Sequence, residues 1–446
     1  MGNRLKTIAL GLAVGIVLSD SSIVVLALPD ILARYNLDIQ QVSWVLTGFN
    51  LVLMLVAVPV AQLVRRRAPG LLLAVGMMIF AAASLFCAIA PSFEVLLIAR
   101  GVQAIGGALA VTSALEILPS TMGSERRAAM VWATAGALGA AFGPALGGLL
   151  TQLISWEAIF FIQIPAILLA IPTLAARSRS DRARAGRPHV AANVALILLS
   201  AGLTAALFLI VLLLIEGWQM TPIATALVVT VMPVAAIIGA RLLGSVGSLP
   251  ARATAGTILL AAGLAGLALL PTPVWWWTVP PQIAIGIGIG ITIGALTDAA
   301  LHGRSPQAVH GGWTIAARHA GLVLGILALT PVFTAQLAKQ QTQVERFGVG
   351  LLLDAPLPLS DRFALADRLG VVVGDANGRI PKLSTVFRNP PSDPAERSAW
   401  QNLQSQLTAA IREAGTAAAA WPFLAAAGIV LLALIPIGIG RRHIDL

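Results

Sequence analysis

Apolar runs long enough to cross a bilayer alternate with short polar breaks along almost the whole chain. A helix needs about 20 mainly apolar residues to cross the hydrocarbon core. Such runs fall near 7–28, 43–64, 70–90, 94–118, 126–151 and 157–176. A second set lies near 190–215, 221–243, 252–271, 275–301, 309–334 and 419–440. The pattern predicts twelve transmembrane helices, six on each side of a basic stretch at 177–189 that holds Arg177, Arg179, Arg182, Arg184 and Arg187. The expected fold class is an all-α membrane protein. A six-helix bundle over 1–176 and a second over 190–446 are joined by the linker 177–189. The first run follows Arg4 and Lys6, as a signal peptide would. It exceeds the usual signal core, holds Asp20 and leads into further runs, so it reads as a retained helix.

One segment breaks the alternation. Residues 335–418, before the last run, are polar and carry nine basic and eight acidic side chains. Within 396–418, Trp400, Leu403, Leu407 and Ile411 recur on one helical stripe, which would extend the last helix outward. Turn-forming residues at 375–381 and prolines at 390, 391 and 394 predict loops between short elements. A structureless loop of this length is unusual, so a small folded lobe outside the membrane is expected.

Composition removes the other classes. The chain is 446 residues long, 58% hydrophobic and only 11% charged, with a mean hydropathy of +0.88. About a quarter of an average soluble domain is charged, so a soluble fold, a disordered chain and a disulfide scaffold are all excluded. The single cysteine, Cys87, can form no intrachain bridge. A net charge of +10 would suggest nucleic acid in a soluble protein. Here it follows the breaks. Arg4, Lys6, Arg65, Arg66, Arg67, Arg126, Arg127, the linker arginines, Arg241, Arg252, Arg304, Arg441 and Arg442 all fall on one side. The short breaks opposite hold only Arg34. The inside rule for Lys and Arg therefore places both termini in the cytoplasm. Trp44, Trp156, Trp218, Trp275, Trp276, Trp277 and Trp421 fall at the outer ends, where amphipathic rings anchor.

Six plus six helices suggest an internal duplication, the parallel-repeat plan of many carriers. Ala61–Arg67 at the end of run two and Ala240–Gly247 at the end of run eight are faintly alike. The first half is more specific. Run one reads Ser19, Asp20, Ser21, Ser22, Ile23 and on to Ala27, Leu28 and Pro29. Run four carries Arg100, Gly101, Gln103, Gly106 and Gly107, and run five carries Gly139, Gly143, Pro144, Gly147 and Gly148. Trp156 and the segment Ile159–Pro165 open run six, and Arg318, His319, Gly321 and Gly325 lie in run eleven.

Together these motifs, over roughly 15–176 and 221–334, resemble the major facilitator superfamily. More closely, the chain is similar to its drug/proton antiporter branch that typically has fourteen helices. The resemblance implies the major facilitator fold, alternating access and proton-driven efflux of drugs. It also implies that Asp20 and Arg100 face a central cleft and that the run-five glycines form an antiporter motif. Three departures accompany it. The family's Asp between runs two and three, part of its cytoplasmic gating contacts, is replaced by Arg65. Glu157 stands where a basic residue is usual. Twelve runs are present rather than fourteen.

Ionisable side chains inside a bilayer are costly, so those present are the first candidates for function. They are Asp20, Arg100, Glu116, Asp298 and Arg318, with His302, His310 and His319 nearby. Asp20 lies midway along its run, where burial and a cation would push its protonation in opposite directions. Arg100 stays charged and would respond as its partner. The pair is either the proton-coupling element or a structural tie between runs one and four. Glu116 is either a second proton site or a side chain reaching the inner interface. Asp298 and His302, four apart, either relay protons or cap the inner end of run ten. Arg318, His319 and Gln103 are further cavity candidates, with Arg318 suited to cavity electrostatics or an acidic group.

Asp298 is a cavity candidate as well, and the expected cavity carboxylates Asp20, Glu116 and Asp298 outnumber the cavity's arginines by one, a balance that permits lipophilic cations. Gly286, Gly288, Gly290 and Gly294 lie in an apolar run with no preceding strand, which favours close helix packing over a phosphate cradle. No metal-ligand cluster, Walker-type sequence or nucleophile elbow is present, so no cofactor is expected and an ion gradient or the substrate's own gradient must supply the energy. The expected protein is a monomeric, multi-pass carrier of the bacterial inner membrane that exchanges a hydrophobic or amphipathic compound for protons. Export of an envelope lipid or lipophilic metabolite by way of the lobe is the alternative. A non-transporting sensor or scaffold is a third.

Overall fold

A computed structural model describes residues 2–176, 186–304, 306–374, 383, 386–388 and 390–444. The arginines at 177, 179, 182 and 184 and the turn at 375–381 lie outside them. Among the described residues there is no strand, and thirteen helical elements follow one another. They are α1 (Asn3–Arg34), α2 (Ile39–Arg66), α3 (Pro69–Ala88), α4 (Phe93–Met122), α5 (Glu125–Leu153) and α6 (Ala158–Thr173). After the linker come α7 (Val190–Gly217), α8 (Pro222–Leu243), α9 (Leu249–Ala268), α10 (Trp275–Leu301) and α11 (Gln307–Asp354). The lobe helix α12 (Leu359–Gly374) and the last span α13 (Pro394–Gly440) complete the chain. Eleven are long and apolar enough to cross a membrane, while α6 is apolar but shorter.

The short breaks carry their own start and stop chemistry. Ser92, Ser124, Thr221 and Ser248 each accept a hydrogen bond from the backbone N–H three residues on, satisfying an otherwise orphaned helix donor. Gly123, at φ +65°, closes α4 in the left-handed conformation that glycine adopts without a Cβ clash. Proline explains the irregular α6. Pro165 and Pro172 remove backbone donors, and residues Ile164–Thr173 wind as a 3-10 helix.

Helices α1 to α6 pack chiefly on one another, as do α7 to α11 with α13. The two groups meet along two main seams, α2 against α11 and α5 against α8. Adding six to α2 gives α8 and subtracting six from α11 gives α5, so the seams are equivalent under the duplication. Three of the run-five glycines face α1. A Cβ on Gly139 would run into the carbonyl oxygen of Gly15, one on Gly143 into Ser22 Oγ, and one on Gly147 into the Ile23 carbonyl. Gly148 faces the other way, with its Cβ position 2.5 Å from Ala226 Cβ and 2.8 Å from the Pro222 carbonyl of α8. The α10 glycines are used similarly. Gly286 and Gly290 admit the α8 backbone, and Gly288 sits 2.6 Å by its Cβ position from the Gly256 carbonyl of α9. Lipid tails give no hydrophobic drive to helix association, so such close van der Waals contact supplies it.

The junction expected at 335 is absent. α11 continues through Pro331 to Asp354, and its 48 residues span about 72 Å, more than twice the hydrocarbon thickness. The lobe is therefore built on two long helices leaving the membrane, α11 and α13, with α12 between them in sequence. The Trp400, Leu403, Leu407 and Ile411 stripe is buried, and Trp400 meets Phe387 edge to face at 5.4 Å.

Replacing Gly139 by Ala is expected to force α5 from α1 and cost about 1–3 kcal/mol, the usual penalty of overpacking. Gly294→Ala is the control, because nothing lies within 4 Å of the added carbon. Thermal unfolding in detergent should show a lowered midpoint for the first and none for the second.

Candidate functional site

Asp20 lies on α1 one turn before the backbone tightens into a 3-10 segment at Val24–Ala27, ahead of Pro29. Arg100 and Gln103 share one face of α4 at helical spacing. The Arg100 guanidinium donates to Asp20 Oδ2 at 2.5 Å and to Gln103 Oε1 at 2.5 Å, and its Nε reaches the Val45 carbonyl of α2 at 3.3 Å. Its carbon also lies 4.3 Å from the centre of the Phe49 ring and 5.8 Å from that of Phe160. The other carboxylate oxygen, Asp20 Oδ1, accepts from Gln163 at 3.0 Å and Gln103 at 3.3 Å. Gln103 also donates to Ser84 Oγ at 2.8 Å and Gln163 Oε1 at 2.7 Å. Asp20, Arg100, Gln103 and Ser84 are fully buried.

Five helices thus converge on one carboxylate. Three donors reach it, and removing one member of such a pair leaves the other uncompensated, at about 3–5 kcal/mol. The arrangement can act as a tie while Asp20 is ionised and as a released contact once it is protonated. Ser84, Gln163 and Phe49 were not singled out in the sequence. Gln163 carried a signal, an amide inside the apolar segment Ile159–Pro165. Ser84 carried none, since serine is common in membrane helices.

A separate polar surface lies between the two helix groups. A central cavity of about 90 Å³ is lined by Ser21, Ser22, Asn50, Thr204, Arg318 and His319 among others. A larger one of about 390 Å³ adjoins it between α5, α7, α8 and α10, and Arg318 lines both. Asn50 ties α2 to α11. Its amide nitrogen donates to the Leu46 carbonyl at 2.7 Å, which leaves Oδ1 to accept from Ser21 at 3.3 Å and from His319 Nδ1 at 2.6 Å. Asn50 is a further residue missed in the sequence, hidden among the apolar positions of run two.

The predicted candidates divide accordingly. Asp20, Arg100 and Gln103 come together, and none of them lines either cavity, so Gln103 belongs with the ion pair and not with the cavity wall. Glu116 is buried farther along α4. Asp298 and His302 lie 3.8 Å apart at the end of α10, with side chains 39% and 65% exposed. The expected excess of cavity carboxylates is thereby corrected: the residues lining the two cavities include Arg318, Arg241 and His319 and no carboxylate. Helix geometry is the reason, since Asp20 and Asp298 are turned from the cavity on α1 and α10. The small residues Gly139, Gly143, Gly147 and Gly148, with Pro144 inside an unbroken α5, hold helices together and are not cavity groups.

The chain is similar to several drug-resistance proteins. It is 32% identical over 190 residues to the multidrug resistance protein Stp of Mycobacterium tuberculosis, covering 41% of this chain and 35% of that one. Against the lincomycin resistance protein of Streptomyces lincolnensis it is 33% identical over 178 residues, 38% of this chain and 35% of the other. The methylenomycin A resistance protein of Streptomyces coelicolor matches at 29% over 229 residues, 49% and 47% of the two chains. The matched region thus spans about a third to a half of these relatives' length. Among solved structures, a bacterial homologue of the human lysosomal transporter Spinster, inward-facing and occupied, superposes with a TM-score of 0.62 at 18% identity over 96% of each chain. That likeness concerns the fold alone. The Major Facilitator Superfamily model matches residues 10–335, the stretch that holds both seams and the buried ion pair. A multi-pass helical membrane protein with two equivalent seams and this match belongs to the Major Facilitator Superfamily.

Proposed function

We propose that the protein is a secondary carrier that exports a hydrophobic or amphipathic small molecule across the bacterial inner membrane in exchange for protons. The observation that carries this reading is the fully buried Asp20–Arg100 pair held beside a cavity between two helix groups. A buried carboxylate with three donors changes its contacts when it gains a proton, and Ser21 and Ser22, the next residues on α1, line the cavity. Protonation of Asp20 releases Arg100 and biases the packing of α1 against α4 and α5, and with it the two seams. The resistance proteins named above support the substrate class.

The cavity geometry supports entry from the arginine-rich side. The α5–α8 seam is tight at the lobe end, where Gly148 meets Ala226 and Gln152 accepts from the Ile223 amide at 2.8 Å. The 390 Å³ cavity lies toward the other end, between Ala133–Ala141 of α5 and Arg241 of α8. With the arginine-rich side in the cytoplasm, cargo enters from the cytoplasm or inner leaflet. Both termini then face the cytoplasm, and the lobe at 335–418 lies outside. A C-terminal green fluorescent protein fusion is expected to fluoresce and an alkaline phosphatase fusion to stay inactive; the reverse would invert the topology.

Coupling is tested in proteoliposomes with an imposed pH gradient. Asp20→Asn is expected to lower gradient-driven dye transport more than tenfold. The double variant Asp20→Asn/Arg100→Gln removes the uncompensated charge. It should regain stability but not coupling. Recovery of coupled transport by the double variant would make the pair a structural tie only.

A second reading, export of a lipid or lipophilic metabolite, is favoured by the lobe surface. Phe347, Leu353, Leu359 and Phe363 are each more than half exposed there, beyond the span of a bilayer. Deleting 335–418 with a short linker should abolish lipid export and leave small-dye efflux intact on that reading; equal effects on both would sink it.

A further inference from the structure

One of the two cations in the cavity walls has no counterpart among the described residues. Arg318, half-buried on α11, lines both cavities, and among the described residues it has no ion-pair partner, no hydrogen-bond acceptor and no aromatic face beneath it. This contrasts with Arg100, which meets a carboxylate, an amide, a backbone carbonyl and an aromatic ring. A guanidinium does not escape burial by losing its proton. Its cost must be met by water or by a ligand, and an oxyanion meets it best, through the two parallel N–H donors of the fork.

The surroundings point the same way. His319, the next residue, lines the smaller cavity and donates from Nδ1 to Asn50. Ser22 and Thr204 also line this wall, their hydroxyls donating to the Ser19 and Ser200 carbonyls. Arg241 stands at the far end of the larger cavity, so a negative group entering there meets one cation at the mouth and another at the inner end. Between them the wall is apolar, with Leu138, Leu207, Met232, Ile289 and Ile293. At about 390 Å³ the space is within the range of drug-sized sites.

We infer that this cavity binds an amphiphile bearing a single oxyanion, a carboxylate or phosphate, with the oxyanion on Arg318 and the apolar body between α5, α8 and α10. As a statement about cargo the inference rests on the carrier reading above; binding itself does not. The anion can belong to a free lipophilic acid or to a lipid headgroup, and the chemistry at Arg318 is the same.

The test uses the full chain in nanodiscs of zwitterionic lipid, with no gradient. The probes are a dansyl-labelled fatty acid, its methyl ester and a quaternary ammonium of the same length, followed by fluorescence. Wild type is expected to bind the acid at least about tenfold more tightly than the ester, as one charge-assisted contact implies, and the ammonium most weakly. Arg318→Gln should bring the acid-to-ester ratio close to one, and Arg318→Lys should keep part of it. The comparison on wild type needs no variant, so a poorly folding Arg318→Gln does not rescue the idea. Equal binding of acid and ester by wild type would overturn it, as would an undiminished ratio in a folded Arg318→Gln.

Adding an anionic phospholipid to the discs separates the sources. Competition that depends on Arg318 assigns the site to a lipid headgroup, and its absence assigns it to a free lipophilic acid; each supports the site. Transport distinguishes the two failures. Selective binding without gradient-driven movement would sink the carrier reading and leave the site, whereas coupled export with no acid preference would do the opposite.

Discussion

Within a bilayer a charged side chain has little water to turn to, so each must find a partner or remain costly. In this protein the constraint is met in two different ways a short distance apart. Asp20 and Arg100 pair inside a set of amides and hydroxyls drawn from α1, α2, α3, α4 and α6, with Arg100 Nη2 buried and without a hydrogen-bond partner among the described residues. Arg318, on α11, lines the two cavities with no ion-pair partner among the described residues. The first arrangement fixes how the N-terminal helices meet, and a proton is the smallest event that can loosen it. The second leaves the cavity with a positive wall and a demand for a ligand of opposite sign. The division of labour follows from geometry: the ion pair is walled off from the cavity, yet its nearest neighbours in sequence line it.

Packing makes that separation workable. α1 is pressed against α5 through Gly139, Gly143 and Gly147, so closely that no Cβ fits at those positions. A contact of this kind has no slack, and a change at Asp20 must be passed to α5 as a whole. From there Gly148 carries it to α8 across one seam. The other seam is held by a polar link, Asn50 to His319, next to Arg318. On the proposed reading, cargo at Arg318 and a proton at Asp20 would act on helices that already bear on one another.

Much of this was legible in the sequence, for a physical reason. Membrane helices need long apolar runs, so most of the spans and the few intramembrane charges stood out without a structure. The glycines at 139, 143 and 147 and the pair Asp20–Arg100 also emerged, because small residues at helical spacing and lone ions are rare enough to notice. What failed was direction. Whether Asp298 or Gln103 points at the cavity depends on the rotation of its helix, which an apolar run fixes weakly when it is apolar on every side. The low amphipathicity that makes a span easy to find thus hides the face it presents. Ser84 and Asn50 were missed because small polar side chains in such helices usually bond their own backbone, as both also do here. Pro331 did not end α11, since a helix that continues beyond the membrane can absorb one lost donor.

The coupling role of Asp20 is tested most directly by infrared difference spectroscopy of the purified protein titrated in lipid across the physiological pH range. A protonated-carboxyl band that grows with acidification, vanishes in Asp20→Asn and shifts when cargo binds is the expected result. A carboxylate at Asp20 that stays ionised throughout, with and without cargo, would contradict it.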